Sequence, residues 1–490
     1  MKFKYILSAL ALSASLASCD IEKFPYDSIS QEMAFQSVSD AEKWNNNFYA
    51  QLRGRIYGVY TLPQDIQSDM LNATADFGNN YGAVHRWAEE FNSDNYQVRD
   101  VWVGYYGALK NINESIAKFP TINAVTDADK AKLNQYLGDA YAIRAYYYLN
   151  LVLRYSKAYN ANTAATDLGV PLVLTFDLKE SPKRASVKET YDQILSDINQ
   201  SKTLLANVNG SVGATKFTID AVYALEARVK LYMNDLPGAA EAAEKVIKTD
   251  KYKLYTTAED VKSIWATDKT QETIFQLFAS LNERPNTNDS YYNYEASTDT
   301  YRSYFIPSKW VLDMYDAIDF RKNAYFKEVD LYQQGKKYKA FIVNKYPGNP
   351  TLVSSKAENH NAPKVFRVAE LYLISAEANA TVNSTLALTR LNALREARGL
   401  ARLNNLSGAA LLTEIKNERL RELAFEGFRL DDLKRWNEGF ERRSPQGTDF
   451  LQTGSGYINL KKEKGDEKFV WGIPSYDITL NSNLEQNKGW

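Results

Sequence analysis

The feature that most constrains this chain is a pair of helical segments separated by a very short break, in TIDAVYALEARVKLYMNDLPGAAEAAEKVIKTD (218 to 250). The first helix is predicted to run to about Met233. The second is predicted to begin near Pro237, because proline is tolerated in the first turn of a helix. Asn234 and Asp235 interrupt the pattern between them. Small residues on both segments would let the two helices approach closely: Ala224, Ala227, Ala239, Ala240 and Ala243. The stretch therefore predicts a tight helical hairpin.

Similar helical patterns occur before this hairpin. Residues 133 to 155 keep apolar or aromatic side chains on one face at three- and four-residue steps, which predicts a long amphipathic helix. A further helix is predicted to begin at Ser186, because Glu189 stands three residues later in the position of a capping box.

A second hairpin is predicted within residues 369 to 400, where Asn383 or Ser384 starts the second helix and Gly399 ends it. A chain of 490 residues is too long for one ordinary core. A stack of tetratricopeptide-like helical hairpins, an α-α superhelix, would let it fold without obvious domain boundaries. The predicted class is therefore mostly α.

Two long stretches lack this pattern. Residues 54 to 98 and 280 to 362 are rich in Asn, Gly, Ser, Thr, Pro and Tyr, and TIFQLF and KAFIVNKY are candidate short strands. Long irregular excursions from a rigid scaffold commonly carry function. We therefore expect the ligand-binding surface on these loops.

The N-terminus reads as a secretory leader. Lys2 and Lys4 precede an apolar stretch that is too short to span a membrane, and small residues follow it. Cys19 is the only cysteine in the chain, so it has no partner for an internal disulfide. Leu-Ala-Ser-Cys resembles the bacterial lipobox, which predicts residues 1–18 as a signal peptide and Cys19 as an acylated membrane anchor.

The overall composition favours neither nucleic acid nor an anionic membrane as a partner. The formal net charge is −1, so no global positive field is present. Aromatic residues make up 13% of the chain, including 34 tyrosines, which suits both helix packing and wet contact surfaces.

ERLRELAFEGFRLDDLKRW (418 to 436) raises the question of catalysis. Glu418, Glu422 and Glu426 recur every four residues, so they are predicted to share one helical face. Arg421 and Arg429 stand three residues after Glu418 and Glu426, within reach for ion pairs. Pairing with arginine lowers a carboxyl pKa, whereas a general acid needs a raised one. Acids along one helix also do not face each other across a sugar. We predict a structural role for all three.

The rest of the chain offers little for catalysis. His85 and His360 are the only histidines, and the sequence has no HExxH motif, nucleophile elbow or phosphate-binding glycine loop. No metal or cofactor is predicted. Arg367 precedes a buried-looking helix and is predicted to pair with Glu370 or another nearby acid.

Several ordered motifs resemble the SusD/RagB family of outer-membrane nutrient-binding lipoproteins. AFQSVSDAEKWNNNFYAQLR and VWVGYYGALKNINESI are similar to its first two helices. FRVAELYLISAEA, LNALREARGL and IKNERLRELAFEGFRLDDLKRW follow its C-terminal pattern, and WGIPSYDITLNSNLEQNKGW resembles its ending. Asp20 and Glu22 are a short match to the acidic signal that sends lipoproteins of Bacteroidetes to the cell exterior.

The resemblance implies one SusD-like domain over 19–490, with an N-terminal region of about 20–230 and a C-terminal region of about 270–490. It implies a non-catalytic surface lipoprotein of the outer membrane. Such a protein captures oligosaccharides or polysaccharides and passes them to a partner TonB-dependent, SusC-like transporter. Peptide capture and a purely protein-binding helical scaffold are alternatives, and a glycan-degrading enzyme is the weakest.

Aromatic rings beside polar side chains predict the ligand site, because sugars offer weakly polar faces and many hydroxyls. Two regions of this kind match the family's ligand loops, 68 to 91 and 282 to 305. Trp87 is the best candidate for a stacking platform, although it could equally pack in the core. Trp102, inside a helical motif, is assigned to the core. The candidate ligand-binding residues are Asp69, Tyr81, His85, Arg86, Trp87, Tyr291, Tyr292 and Tyr294.

Overall fold

The computed structural model describes residues 34–175, 177, 179–355 and 357–490. The predicted leader and Cys19 lie outside these residues. The helices are α1 Val38–Arg53, α2 Leu62–Ile66, α3 Gly82–Arg86, α4 Tyr96–Lys118, α5 Asp127–Tyr155, α6 Val187–Leu204, α7 Ile219–Tyr232, α8 Leu236–Ile247, α9 Ala258–Ala266, α10 Lys309–Asp313, α11 Phe320–Tyr325, α12 Val368–Asn379, α13 Ser384–Ala397, α14 Gly408–Leu423, α15 Arg429–Arg435 and α16 Ser475–Leu480.

The strands are short: β1 Leu71–Ala73, β2 Leu168–Pro171, β3 Arg184–Ser186, β4 Thr273–Gln276, β5 Tyr294–Glu295, β6 Thr300–Tyr301, β7 Phe305–Pro307, β8 Phe326–Gln333, β9 Lys336–Val343, β10 Lys364–Arg367, β11 Phe440–Glu441 and β12 Lys461–Lys462. Four strands form one sheet in the order β5-β6-β8-β9, in which only β6 and β8 run parallel. The other strands pair two by two, β1 with β7 and β4 with β10 among them. The two candidate strands from the sequence are β4 and β9.

The long helices form the scaffold. Helix α5 packs against α6, α7 against α8, α8 against α12, and α12 against α13. Each helix of such a stack buries its apolar face only against its neighbours. The mostly α, tetratricopeptide-like fold expected from the sequence is confirmed.

The first predicted hairpin forms as its break suggests. Asn234 takes a left-handed φ of 58°, and the Asp235 side chain then accepts a hydrogen bond from the Gly238 amide to cap α8. Ala239 and Ala243 are fully buried, so small side chains do allow close approach. The capping box at Ser186 and Glu189, where α6 starts, is also confirmed.

The second hairpin, α12 and α13, ends on a glycine for a steric reason. Asn383 caps α13, and Gly399 follows it with φ 79°. A Cβ at Gly399 would lie 2.7 Å from the Phe320 ring, so both backbone conformation and space favour glycine.

Buried charged side chains around α14 join the helical scaffold to the loops that pack on it. Glu422 lies 2.9 Å from an Arg398 nitrogen and 2.7 Å from an Arg367 nitrogen. Glu418 binds Arg421 at 2.8 Å, as predicted, and also Arg321 at 2.7 Å. Burial acts to raise the pKa of Glu418 and Glu422, but the surrounding guanidinium groups outweigh it and lower both. The structure thus supports a scaffold role.

Two details of that prediction are wrong. Helix α14 ends at Leu423, so Glu426 lies beyond it, in a turn where Phe425 and Gly427 take φ of 65° and 80°. Glu426 binds Arg367 and Lys345, at 2.6 and 2.7 Å, and not Arg429.

Arg367 itself pairs with Glu422 and Glu426. Its predicted partner Glu370 is held by Arg228 at 2.7 Å instead. The true partners lie more than 50 residues away in the sequence, where local spacing carries no information.

No helix in the described ranges is both long and apolar enough to cross a bilayer.

Candidate functional site

Most of the predicted ligand residues in the first loop region are packed inside the protein. Asp69 is 1% exposed and receives two hydrogen bonds from Arg429, at 2.9 and 2.8 Å. His85 is fully buried, with Nδ1 3.0 Å from the Ile66 carbonyl, and burial lowers its pKa. Both side chains therefore hold the loop in place in this structure.

Trp87 adopts the packed alternative. Its side chain is 7% exposed, it donates Nε1 to the Gln67 carbonyl at 2.7 Å, and its ring lies edge-on to Phe440 and Phe469. No ring face is open for stacking, which argues against its use as a ligand platform. Trp102, 3% exposed, is in the core as predicted.

Arg86 is half-buried, whereas Tyr81 is buried. Arg86 donates to the Tyr457 hydroxyl at 2.7 Å and lies over that ring. Tyr81 has φ 52°, an uncommon conformation for a bulky residue. Its ring is 8% exposed and lies 5.9 Å from the Tyr96 ring.

The second region is also packed more tightly than its polar sequence suggests. Tyr291 is fully buried and donates to Asp65 at 3.3 Å. Tyr292 is 8% exposed and lies edge-on to Tyr301. Tyr294 is half-buried and donates to Asp299 at 2.8 Å. Contact of these tyrosines with a ligand stays a prediction.

The two regions do meet, at a site that the sequence analysis did not single out. Tyr96, at the start of α4, is 44% exposed. Burial raises the pKa of both Tyr96 and Tyr81, and the negative charge of Asp289 adds to each rise. We call Tyr81, Tyr96 and Asp289 the Tyr96 site. It lies where the loop before α4 meets the long insertion between β4 and β5.

Hydrogen bonds to the first loop fix the segment that carries Asp289. Asn286 donates its side-chain amide to the Gly54 carbonyl at 2.7 Å, and Asn288 accepts from the Gly58 amide at 2.9 Å. Both contacts join positions more than 200 residues apart. The Asp289 backbone is thereby held on a rigid support, as a preorganised binding group requires.

Tyr60 packs on α4, the helix that begins at Tyr96. Its half-buried ring lies edge-on to Tyr105, 5.1 Å away. A Cβ at Gly104 would come within 2.0 Å of the Tyr60 hydroxyl, so glycine leaves the room for this ring on α4. Burial raises the pKa of Tyr60, while Arg55 opposes this rise and Asp100 adds to it.

Asp289 combines exposure with desolvation. Its side chain is accessible to solvent, yet surrounding protein raises its pKa. Backbone hydrogen bonds, including one from Ser290, partly oppose this rise, and no charged side chain contributes to it. The site therefore offers an exposed tyrosine and an exposed carboxylate that forms no ion pair with any residue the structure describes.

An internal cavity is not a competing ligand site. It lies between the scaffold and the loop layer and measures about 70 Å³. Sites that enclose small molecules are usually roughly 300–1,000 Å³. Its lining includes Tyr146, Arg228, Trp265, Lys364 and Glu426, so it is polar and large enough only for a few waters.

Sequence reasoning found Tyr81 but missed Tyr96 and Asp289. Tyr96 lies five residues before the helical motif VWVGYYGALKNINESI, and Asp289 lies inside the candidate region 282 to 305 but was not chosen. The one available signal was the mixture of Asn, Asp and Tyr there, which does not indicate which side chains stay exposed.

A helical-repeat scaffold with an aromatic and polar loop surface defines a binding protein built on a tetratricopeptide-like support. Two family models match the chain. The SusD family model covers residues 327–490, and a model described as starch-binding associating with outer membrane covers residues 23–231. The protein belongs to the SusD/RagB family.

Known relatives agree over nearly the whole length. SusD-like protein P2 of Formosa agariphila is 25% identical, with 99% of each chain covered. A SusD superfamily structure from Bacteroides thetaiotaomicron has a TM-score of 0.78 at 24% identity, covering 92% of this chain and 99% of that one. A laminarin-binding SusD-like protein has a TM-score of 0.70 at 18% identity, covering 93% and 100%. These structural similarities establish the fold.

Proposed function

We propose that this protein is a lipid-anchored surface lipoprotein that captures oligosaccharides or polysaccharides at the Tyr96 site, without cleaving them, and passes them to a TonB-dependent, SusC-like transporter. The observation that carries the proposal is that Tyr96 is 44% exposed and that Asp289, in the second loop region, is exposed as well. A ring face suits a sugar face, and a fixed carboxylate accepts hydrogen bonds from sugar hydroxyls.

The family supports a glycan ligand and an outer-membrane location. One matching family model is described as starch-binding and associating with the outer membrane, and one neighbouring structure is of a laminarin-binding protein. Cys19 would supply the lipid anchor on the outer face of that membrane.

The electrostatics support binding rather than hydrolysis. A glycosidase of the common type needs two carboxyl groups about 5 to 10 Å apart, one with a raised pKa. Asp289 has a raised pKa, but no second acid of the described residues contributes to it. The pKa values of Glu418, Glu422 and Glu426 are lowered, which suits ion pairing and not proton donation.

The direct test is calorimetric titration of the soluble chain, residues 20 to 490, with plant, fungal and bacterial glycans and with short peptides. We expect a glycan to bind and to remain uncleaved when the mixture is analysed by chromatography. Binding of peptides without any glycan would favour the peptide-capture alternative, and cleavage would contradict the non-catalytic assignment. If neither class binds, the scaffold alternative replaces both.

Two variants locate the site. Tyr96→Ala should weaken glycan binding by about 1–3 kcal/mol, the range for a substantial contact residue, with little change in stability because the ring is 44% exposed. Tyr223→Ala is the matched control: that half-buried ring on α7 lies near Lys202 and Lys245 of the scaffold. Equal effects of the two variants would argue against the Tyr96 site.

The transporter hand-off has its own measurement. The full-length anchored protein, isolated from membranes with an affinity tag, should bring a TonB-dependent transporter with it. The amount of transporter recovered with a Cys19→Ala form gives the background. If the anchored protein brings no such transporter with it, the partner assignment is contradicted.

A further inference from the structure

We propose that the outer face of the four-stranded sheet binds an anionic substituent of a glycan, a carboxylate or a sulfate group, with Arg302 and Lys337 as its two cations. We call Arg302, Tyr332 and Lys337 the Arg302 site. It shares no residue with the Tyr96 site. This inference rests on the proposed function and adds a class of sugar substituent to it.

The first step is the position of these side chains in the sheet. Strands β6 and β8 run parallel, with Tyr301 beside Leu331. Leu331 is fully buried, and successive residues of a strand point to opposite faces, so the next residues, Arg302 and Tyr332, lie on the outer face. The Arg302 guanidinium carbon is 4.5 Å from the centre of the Tyr332 ring, which confirms this placement.

The second cation lies on the other side of the same ring. Lys337 is directly opposite Tyr332 in the antiparallel pair of β8 and β9, and it is exposed. Opposed residues of such a pair point to the same face of the sheet. The Tyr332 ring is therefore flanked by Arg302 on one neighbouring strand and by Lys337 on the other.

The second step is that Arg302 has no partner oxygen. Every other buried or half-buried arginine that the structure describes donates a side-chain hydrogen bond to a protein oxygen, as Arg367 does to Glu422 and Arg184 to the Gly169 carbonyl. Half-buried Arg302 donates none to a described residue: its Nε is shielded from solvent without an acceptor, and its two terminal nitrogens stay accessible.

Those two nitrogens are the edge that recognises oxyanions. Arginine binds carboxylates and tetrahedral phosphates through two parallel hydrogen bonds from such an edge, and a sulfate ester has the same tetrahedral arrangement of oxygens. Contact with the Tyr332 ring leaves this edge of Arg302 free while it restricts the motion of the side chain. The guanidinium is thus held ready for an anion.

The strand that carries the ring is itself fixed to the first loop region. The Gln333 side chain accepts a hydrogen bond from the Asp76 amide at 2.6 Å, and the Asp76 carboxylate accepts one from the Gln334 amide at 2.6 Å. These contacts join positions more than 250 residues apart. The site therefore stands on a rigid support, as a binding group requires.

The acids on the outer face of β8 do not neutralise the site. Asp330 binds Lys339 at 2.7 Å. Glu328 lies four residues before Tyr332 along the strand, which is roughly 13 Å at 3.3 Å per residue. That separation exceeds the screening length at physiological salt.

On the other side, Glu295 lies on β5, next to β6. Its carboxylate accepts hydrogen bonds from the amide and the hydroxyl of Ser297, and it forms no ion pair with Arg302. The formal net charge of the whole chain is −1, so no overall positive field attracts an anionic polymer. Attraction of such a ligand has to come from a local site of this kind.

The experiment compares glycans that share a backbone and differ in charge: laminarin with laminarin sulfate, dextran with dextran sulfate, and xylan with glucuronoxylan. The first two pairs test sulfate and the third tests carboxylate. Binding to residues 20 to 490 is measured by calorimetry at pH 7 in low salt. For the backbone that binds, we expect the acidic member to bind at least about tenfold more tightly, which is about 1.4 kcal/mol. Sodium chloride at about 0.5 M should narrow this gap, because it screens charge.

The Arg302→Gln substitution removes the charge and the paired donors. We expect it to reduce the preference for the acidic member to less than about threefold and to leave neutral binding unchanged, because a rim charge acts mainly on charged partners. Lys337→Gln should lower the preference in the same direction. Arg402→Gln is the matched control: it removes an exposed arginine that pairs with Glu396 at 2.8 Å, after α13. It should leave the preference unchanged.

Equal or weaker binding of the acidic member would overturn this inference and leave glycan capture standing. So would an Arg302→Gln variant that keeps the wild-type preference, or an Arg402→Gln variant that loses as much of it. Binding of no glycan, neutral or acidic, would overturn the proposed function and this inference together. Because Lys337 is exposed, Lys337→Gln keeps the inference testable if Arg302→Gln fails to fold.

Discussion

The Glu422→Gln substitution is the most direct test of the structural role that we assign to Glu418, Glu422 and Glu426. Glu422 is fully buried and lies within 3.2 Å of nitrogens on three arginines, Arg321, Arg367 and Arg398. Glutamine keeps the shape of the side chain but removes the charge that these guanidinium groups share. Removing one partner of a buried ion pair costs about 3–5 kcal/mol, because the remaining charge stays desolvated.

The arginines keep other partners, which limits the loss. Arg398 retains Glu272, and Arg367 retains Glu426. We therefore expect a loss of about 3–4 kcal/mol in the free energy of unfolding, within the range for such pairs. For 490 residues, an unfolding entropy of about 2.1 cal/mol/K per residue converts this into a fall in Tm of roughly 3–4 °C.

Differential scanning calorimetry at pH 7 measures this fall. The control is Glu414→Gln on the same helix, whose acid is a third exposed and 3.7 Å from Arg421. It should change stability by less than about 1 kcal/mol. Equal changes in Tm for Glu422→Gln and Glu414→Gln would refute the structural role of Glu422. So would a Glu422→Gln protein of unchanged Tm that has lost a hydrolytic activity shown by the wild type.

Three further predictions test other parts of the structure. Trp87→Ala should lower the free energy of unfolding by about 3–5 kcal/mol, as substitution of other buried aromatic residues does, and calorimetry measures this loss. Weakened glycan binding with an unchanged Tm would instead support Trp87 as a ligand platform. Burial raises the pKa of Asp139 to about 7, above its value in the unfolded chain, so this acid contributes stability below pH 4 that is lost as the pH rises through 7. In urea titrations, the stability of Asp139→Asn relative to wild type should therefore be greater at pH 8 than at pH 5. An equal difference in the free energy of unfolding at the two pH values would contradict this. Cys19→Ala should release the protein from membranes in a fractionation experiment, and continued membrane association would remove the lipid-anchor argument.

The sequence alone determined the scaffold. Helix starts and stops depend on residues within about four positions of each other, so the Ser186 capping box, the break at Asn234 and the stop at Gly399 could all be read directly. The ordered family motifs also identified the family, because they follow the same local elements.

Only the tertiary structure decided which loop side chains are buried and which stay exposed. Trp87 is covered by Phe440 and Phe469, Asp69 is neutralised by Arg429, and both contacts span more than 340 residues. A ring in a polar stretch looks exposed in sequence until a distant segment packs on it. Asp289 and Tyr96 stay exposed because no segment within the described ranges covers them, and that depends on how distant parts of the chain fold back on each other.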